Sequence, residues 1–238
     1  MKNIKILLAL IIGFQFYSCA ELQQVVDSLP AGGEISNAQI ASGLKEALNK
    51  GIDKEVTKLM TPDGFYKDQM VKILLPKDLQ KVDKTMRDIG LGNLADEGLK
   101  LLNTAASDAV KEAKPIFVDA ITTMSFNDAK NILLGDKVAA TTYLEQKTQA
   151  QLYAKFKPQV QQSLHKVNAD NVWSDIITRY NQIPFVTQVN PDLTDYVTTK
   201  AMDGVFKKVG VEEQKIRTSI NERTSDLLKK VFALQDNK

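Results

Sequence analysis

Residues 36–59 read SNAQIASGLKEALNKGIDKEVTKL, and the fold class turns on this stretch. Ile40, Leu44, Leu48, Ile52, Val56 and Leu59 recur every three or four residues, which places them on one face of a long helix. Ser36 stands where a helix start is capped, and Thr61-Pro62-Asp63-Gly64 supplies turn chemistry at the other end. Beside the apolar stripe runs a small one, Gly43, Ala47 and Gly51, at a spacing of four. Glycine inside a helix costs about 1 kcal/mol relative to alanine. The expected compensation is the close approach of another helix.

The helical period continues outward from this segment. Leu91, Leu94, Gly98, Leu101, Leu102, Ala105 and Ala109 form a second, alanine-rich stripe. Pro115 suits the first turn of a helix carrying Ile116, Phe117, Ala120, Ile121 and Met124. Ser125, with Asp128 three residues on, reads as a capping box opening a short helix that stops at Gly135. Asp136 is expected to cap the next helix, with Ala139, Ala140, Tyr143 and Leu144. Leu152, Phe156, Val160, Leu164 and Val167 prolong that pattern, with a kink or break at Pro158. Asn190-Pro191 reads as a cap and a first-turn proline ahead of Leu193, Val197, Ala201, Val205 and Val209. Leu227, Leu228, Val231 and Phe232 close the chain on an apolar helix. With no sustained alternating β-branched run and no solenoid-length repeat, the reading is all-α: one compact multi-helix domain over residues 36–238.

The first 35 residues read differently. Lys2 and Lys5 precede an apolar run, Ile6 to Phe16, that suits a signal peptide and is too short to span a bilayer. Phe16-Tyr17-Ser18-Cys19 resembles a lipobox, with Phe16 where leucine is usual. Residues 1–18 are therefore expected to be a lipoprotein signal peptide, and Cys19 the lipidated residue. Residues 19–35, containing Leu29-Pro30-Ala31-Gly32-Gly33, read as a flexible tether, reaching about 20 Å. Two or more acyl chains hold a protein stably at a membrane where one does not. Ala20, rather than an aspartate, after the cysteine favours the outer membrane facing the periplasm.

Composition narrows the function. Removing the leader lowers Lys+Arg from 31 to 29 by losing Lys2 and Lys5, against 29 Asp+Glu, so the mature chain is neutral. With no basic block longer than Lys207-Lys208 or Lys229-Lys230, no nucleic-acid partner is expected. The single cysteine precludes an intramolecular disulfide. The single histidine, His165, precludes two-histidine zinc sites and di-iron bundles. Phosphate-loop, dinucleotide and nucleophile-elbow motifs are absent, and no cofactor or metal is expected.

Carboxylates remain. Asp128 and Asp136 bracket one short helix near Thr141, Thr142 and Tyr143. Two acids across a cleft can hydrolyse a glycosidic bond; helix capping is the competing explanation. Glu212-Glu213 with Lys215 and Arg217 reads as a solvated helix face carrying intrahelical ion pairs. Trp173, Tyr180 and Phe185 suit either an apolar pocket or core packing.

Several stretches together carry a family resemblance. They are Gly43-Leu44-Lys45-Glu46-Ala47-Leu48, Pro62-Asp63-Gly64-Phe65-Tyr66, Ile73-Leu74-Leu75-Pro76 and Ala113-Lys114-Pro115-Ile116-Phe117. Further on come Ala139-Ala140-Thr141-Thr142-Tyr143-Leu144, Asn190-Pro191-Asp192-Leu193, Asp203-Gly204-Val205-Phe206, Ile216-Arg217 and the run from Arg223 to Phe232. From about Leu44 to Phe232 the chain resembles the bacterial domain-of-unknown-function family 4197. The resemblance implies small exported or lipid-anchored, largely helical proteins with no assigned activity. It departs where Ile220-Asn221-Glu222 replaces the family's proline-bearing loop. It singles out Asp128, Thr141, Tyr143, Asp203, Arg217 and Arg223 as candidates for binding a ligand or partner. Tying helix ends together is the structural alternative for all six. The expected function is a membrane-tethered, non-enzymatic binding or scaffolding module for an envelope protein or small ligand. The alternative is a carboxylate-dependent hydrolase of an envelope polymer, using Asp128 with Asp136 or Asp203.

Overall fold

The computed structural model describes residues 35–77 and 92–236 apart from 183 and 186, together with 80, 84, 87, 88 and 90. The signal peptide, Cys19 and all of the tether but its last residue lie outside the described residues. From Asn37 onward the elements are α1 (Asn37–Leu59), α2 (Gly92–Ala109), a 3-10 turn (Val110–Glu112), α3 (Ala113–Thr122) and α4 (Phe126–Leu133). Then come α5 (Ala139–His165), α6 (Ala169–Asn181), α7 (Leu193–Thr218), a second 3-10 turn (Ile220–Glu222) and α8 (Asp226–Asp236). Among the described residues there is no strand, and the fold is all-α as the periodicity implies.

α1 buries the predicted face: Leu44, Ile52, Val56 and Leu59 are each 1% exposed. Its small stripe accommodates two helices rather than one. A Cβ at Gly43 would come 2.7 Å from Val231 of α8, and one at Gly51 would come 3.3 Å from Glu212 of α7. α7 is the central element and packs on α5, α1 and α2. Contacts between Glu55 and Lys208, and between Gly51 and Glu212, make α1 and α7 antiparallel. Those between Thr141 and Glu213, and between Tyr153 and Asp195, do the same for α5 and α7. Phe117 and Phe206 meet edge to face at 5.9 Å within this core.

Three expectations change at the level of elements. α5 runs unbroken through Pro158, because Leu152, Phe156, Val160 and Leu164 stay buried on one face across the proline. That packing outweighs the ~3 kcal/mol that an interior proline costs. The cap of α7 is Asp192, whose side chain accepts the Asp195 N–H, so Asn190-Pro191 falls outside the helix. Asp136 does not cap α5; the residue at that position is Val138, which has no side-chain cap, while Asp136 accepts the Val138 N–H.

The linker between α1 and α2 contains a segment without regular structure that helical periodicity does not reveal. After the turn at Asp63, with φ 63°, Phe65 is fully buried, and Gly204 on α7 leaves room for its ring. Residues 72–76 then run without regular structure. Asn103 of α2 holds this segment as a neighbouring strand would. Its side-chain amide accepts the Ile73 N–H at 2.8 Å and donates to the Ile73 carbonyl at 2.9 Å. Tyr196 of α7 donates to the Leu74 carbonyl at 2.7 Å.

Candidate functional site

Four of the six candidate residues belong to helix ends. The start of α5 lacks a cap of its own, leaving N–H groups that need acceptors. Glu213 of α7 supplies them: its carboxylate accepts from the Ala140 and Thr141 N–H groups at 2.9 and 2.8 Å, and from the Thr141 hydroxyl at 2.7 Å. A negative charge at a helix N-terminus is also favoured by the helix dipole. Arg217, one turn further along α7, pairs with Glu213 and donates to the Leu133 and Ile132 carbonyls at 3.0 and 2.7 Å. A cation thus sits at the C-terminus of α4. One buried ion pair closes the end of one helix and the start of the next.

Arg223 repeats this device at the other junction. It donates to the Ile216 and Arg217 carbonyls at the end of α7, at 3.0 and 2.9 Å, and forms a two-pronged pair with Asp236 at the end of α8. Arg223 holds the Asp236 carboxyl below its ordinary range. Gln235 joins the two clamps, donating to the Arg217 carbonyl and accepting from the Arg217 guanidinium, both at 2.8 Å. The expected solvated face is therefore corrected: Glu212, Glu213 and Arg217 are 4%, 7% and 7% exposed. The intrahelical pairs exist; packing encloses Glu213–Arg217, while Lys215, paired with Glu212, stays exposed.

Asp128 closes a capping box with Ser125, and the Ser125 hydroxyl and N–H hold its carboxyl below the ordinary range. Tyr143 lies near it, raised by partial burial and then by the Asp128 charge, with Lys147 5.7 Å from its ring centre. Asp136 is exposed and accepts a local N–H. His165 is exposed and bonded to Asp170 at 3.0 Å. Trp173 and Tyr180 pack on Ile177 and Val189 as core, whereas Phe185 stands apart from them in solvent.

Asp203 is different. Its carboxylate is exposed and, among the described residues, pairs with Lys200 alone, one turn earlier on α7, at 3.0 Å. It stands on a ridge between two surface grooves. One, of about 420 Å³, runs between α7 and residues 70–77 and is lined by Leu74, Tyr196, Lys200 and Lys207. The other, of about 390 Å³, runs between α7 and α5 and is lined by Glu145, Tyr153, Met202 and Phe206. A third cavity, among α1, α7 and α8, has about 20 Å³. That is room for one water and not for a lipid chain.

Sequence reasoning missed a charge cluster built around the buried Glu55. Lys208 pairs with Glu55 at 3.1 Å and Asp68 at 2.8 Å, and Glu55 also accepts from Lys58 at 2.7 Å. Burial pushes the Glu55 and Asp68 carboxyls up, but the lysine hydrogen bonds outweigh it and hold both below their ordinary values. Burial lowers Lys208, and the two carboxylates more than reverse this. No spacing rule joins residues so far apart in sequence. Among the described residues no group of His, Cys, Asp and Glu is arranged to hold a metal ion, and no helix is long and apolar enough to cross a membrane.

Fold and site together define an all-helical domain whose buried charges lock helix ends and whose open polar surface lies along α7. A family model described as protein of unknown function (DUF4197) matches residues 34–233. The chain belongs to that family. No curated protein and no solved structure matches it.

Proposed function

We propose that this protein is an exported lipoprotein of the cell envelope, anchored through Cys19 at the outer membrane and facing the periplasm. Its helical domain is a non-enzymatic binding or scaffolding module. The leader and the lipobox-like Phe16-Tyr17-Ser18-Cys19 support the anchor. The binding role is carried by Asp203, a polar residue left exposed on the α7 ridge between two grooves. Of the acids in the hydrolase alternative, Asp203 lines both grooves, whereas Asp128 is closed into its capping box and neither it nor Asp136 lines either groove.

Native mass spectrometry of the full-length protein, extracted gently from its own membrane, tests both parts. The mass is expected to include diacylglycerol on Cys19 and a further bound species, and Asp203→Ala should lose that species while melting at the same temperature. A bare polypeptide mass overturns the anchor. An unmodified ligand load in Asp203→Ala removes the ridge from the binding site.

A further inference from the structure

The loop from α6 to α7 is unusual for this chain. Tyr180 to Pro191 contains no charged residue, although a quarter of the chain is charged, and no uncharged run after residue 21 is longer. Its centre reads Ile183-Pro184-Phe185-Val186. Phe185 is fully exposed, its relative accessibility of 107% placing it on a convex tip, and its φ is 67°. A bulky residue in the left-handed region is strained by about 1–2 kcal/mol, and an exposed phenyl ring gains nothing in water to offset that.

The base of the loop is nevertheless firmly built. The Asn181 side chain donates to the Val189 carbonyl at 2.7 Å and accepts the Val189 N–H at 2.9 Å, joining the end of α6 to the segment that leads into α7. Trp173 donates to the Asn190 carbonyl at 3.2 Å and stacks near Tyr196. Gln182, Thr187 and Gln188, flanking the tip, are exposed polar residues without charge.

We propose that this tip inserts into the lipid bilayer and is the domain's second membrane contact. An uncharged apolar point rimmed by amides and a hydroxyl suits the zone between acyl chains and headgroups, where charges are costly and aromatic rings favoured. A protein-binding tip would ordinarily carry charges at its rim to steer and set its register, and residues 180–191 carry none. The inference deepens the anchored-lipoprotein reading, on which it rests for a bilayer within reach.

The test separates the two. The mature chain is prepared with Cys19→Ser and an N-terminal hexahistidine, and is held on phosphatidylethanolamine–phosphatidylglycerol vesicles containing a nickel-chelating lipid. Because Cys19 is the only cysteine, Phe185→Cys then takes a single nitrobenzoxadiazole label. Its emission should brighten and shift to the blue on vesicles, in low and high salt alike, and be quenched by doxyl lipids. The same label at Lys230→Cys, on exposed α8 surface, should not respond. Unchanged emission at position 185 on vesicle-held protein overturns the proposal. So does a shift produced only by membrane-free envelope extract, which would assign the tip to a protein partner. The histidine tag supplies the tether, so failure here leaves Cys19 lipidation standing, and failed lipidation leaves tip insertion standing.

Discussion

Arg217 makes its contacts from one position on α7: to Glu213, to the last carbonyls of α4 and to Gln235 of α8. Truncating it leaves the Glu213 carboxylate buried without its cation and takes the guanidinium donor from the Leu133 carbonyl, while the Ile132 carbonyl keeps the Gly135 N–H. Breaking a buried pair in this way costs about 3–5 kcal/mol. Arg217→Ala is therefore expected to lose that much stability in urea denaturation with little change in slope. A variant as stable as wild type would mean that the clamp contributes little net energy. Thr141 and Arg217 stood out from their place in the family pattern, and the alternative that they tie helix ends together is the role they have; which ends, and through which partner, was not legible. Glu213 is the missing link, and only its spacing of four from Arg217 hinted at it.

At the scale of elements, the buried face of α1 and its small stripe follow from its sequence alone, whereas the two helices that the stripe admits, α7 and α8, do not. Nor does the irregular segment before α2. The backbone of Ile73 is held by the side chain of Asn103, far along the chain, and no local pattern announces that partner. Replacing it with leucine keeps the volume but strands an N–H and a carbonyl, each costing about 1–3 kcal/mol when buried. Asn103→Leu is expected to lower stability by about 2–4 kcal/mol and to raise hydrogen exchange at Ile73 selectively. Exchange at Ile73 that matches wild type would show that the amide does not hold the segment.

For the molecule as a whole, the Glu55–Lys208–Asp68 cluster ties α1, the following linker and α7 together. Glu55 and Asp68 titrate below their ordinary values of 4.5 and 3.8 in the folded state. A lowered carboxyl contributes stability above its unfolded value and loses it as pH falls through the folded one. Stability is thus expected to hold near neutrality and fall progressively below about pH 4.5. Lys208→Met should flatten part of that decline, because the carboxylates lose the partner that depresses them. A pH profile of the melting temperature parallel to wild type would exclude the cluster as its source. Raised Lys208 has the opposite sign, and its contribution fades only as pH climbs above 10.5.

What the sequence by itself determined is what depends on near neighbours: the helical period, the Ser125 capping box, the glycine stripe of α1 and the all-α class. Each is a relation among residues a few positions apart, and local geometry enforces it wherever the segment lies. What only the tertiary structure decided is where charge goes. Glu213 and Arg217 look solvated on a helical wheel, and Asp203 looks no different from them. Burial separates them, because an end of α5 without its own cap and an end of α4 with open carbonyls must find partners from another element. Asp203, on the outer ridge of the same helix, has no such helix end to close and remains exposed.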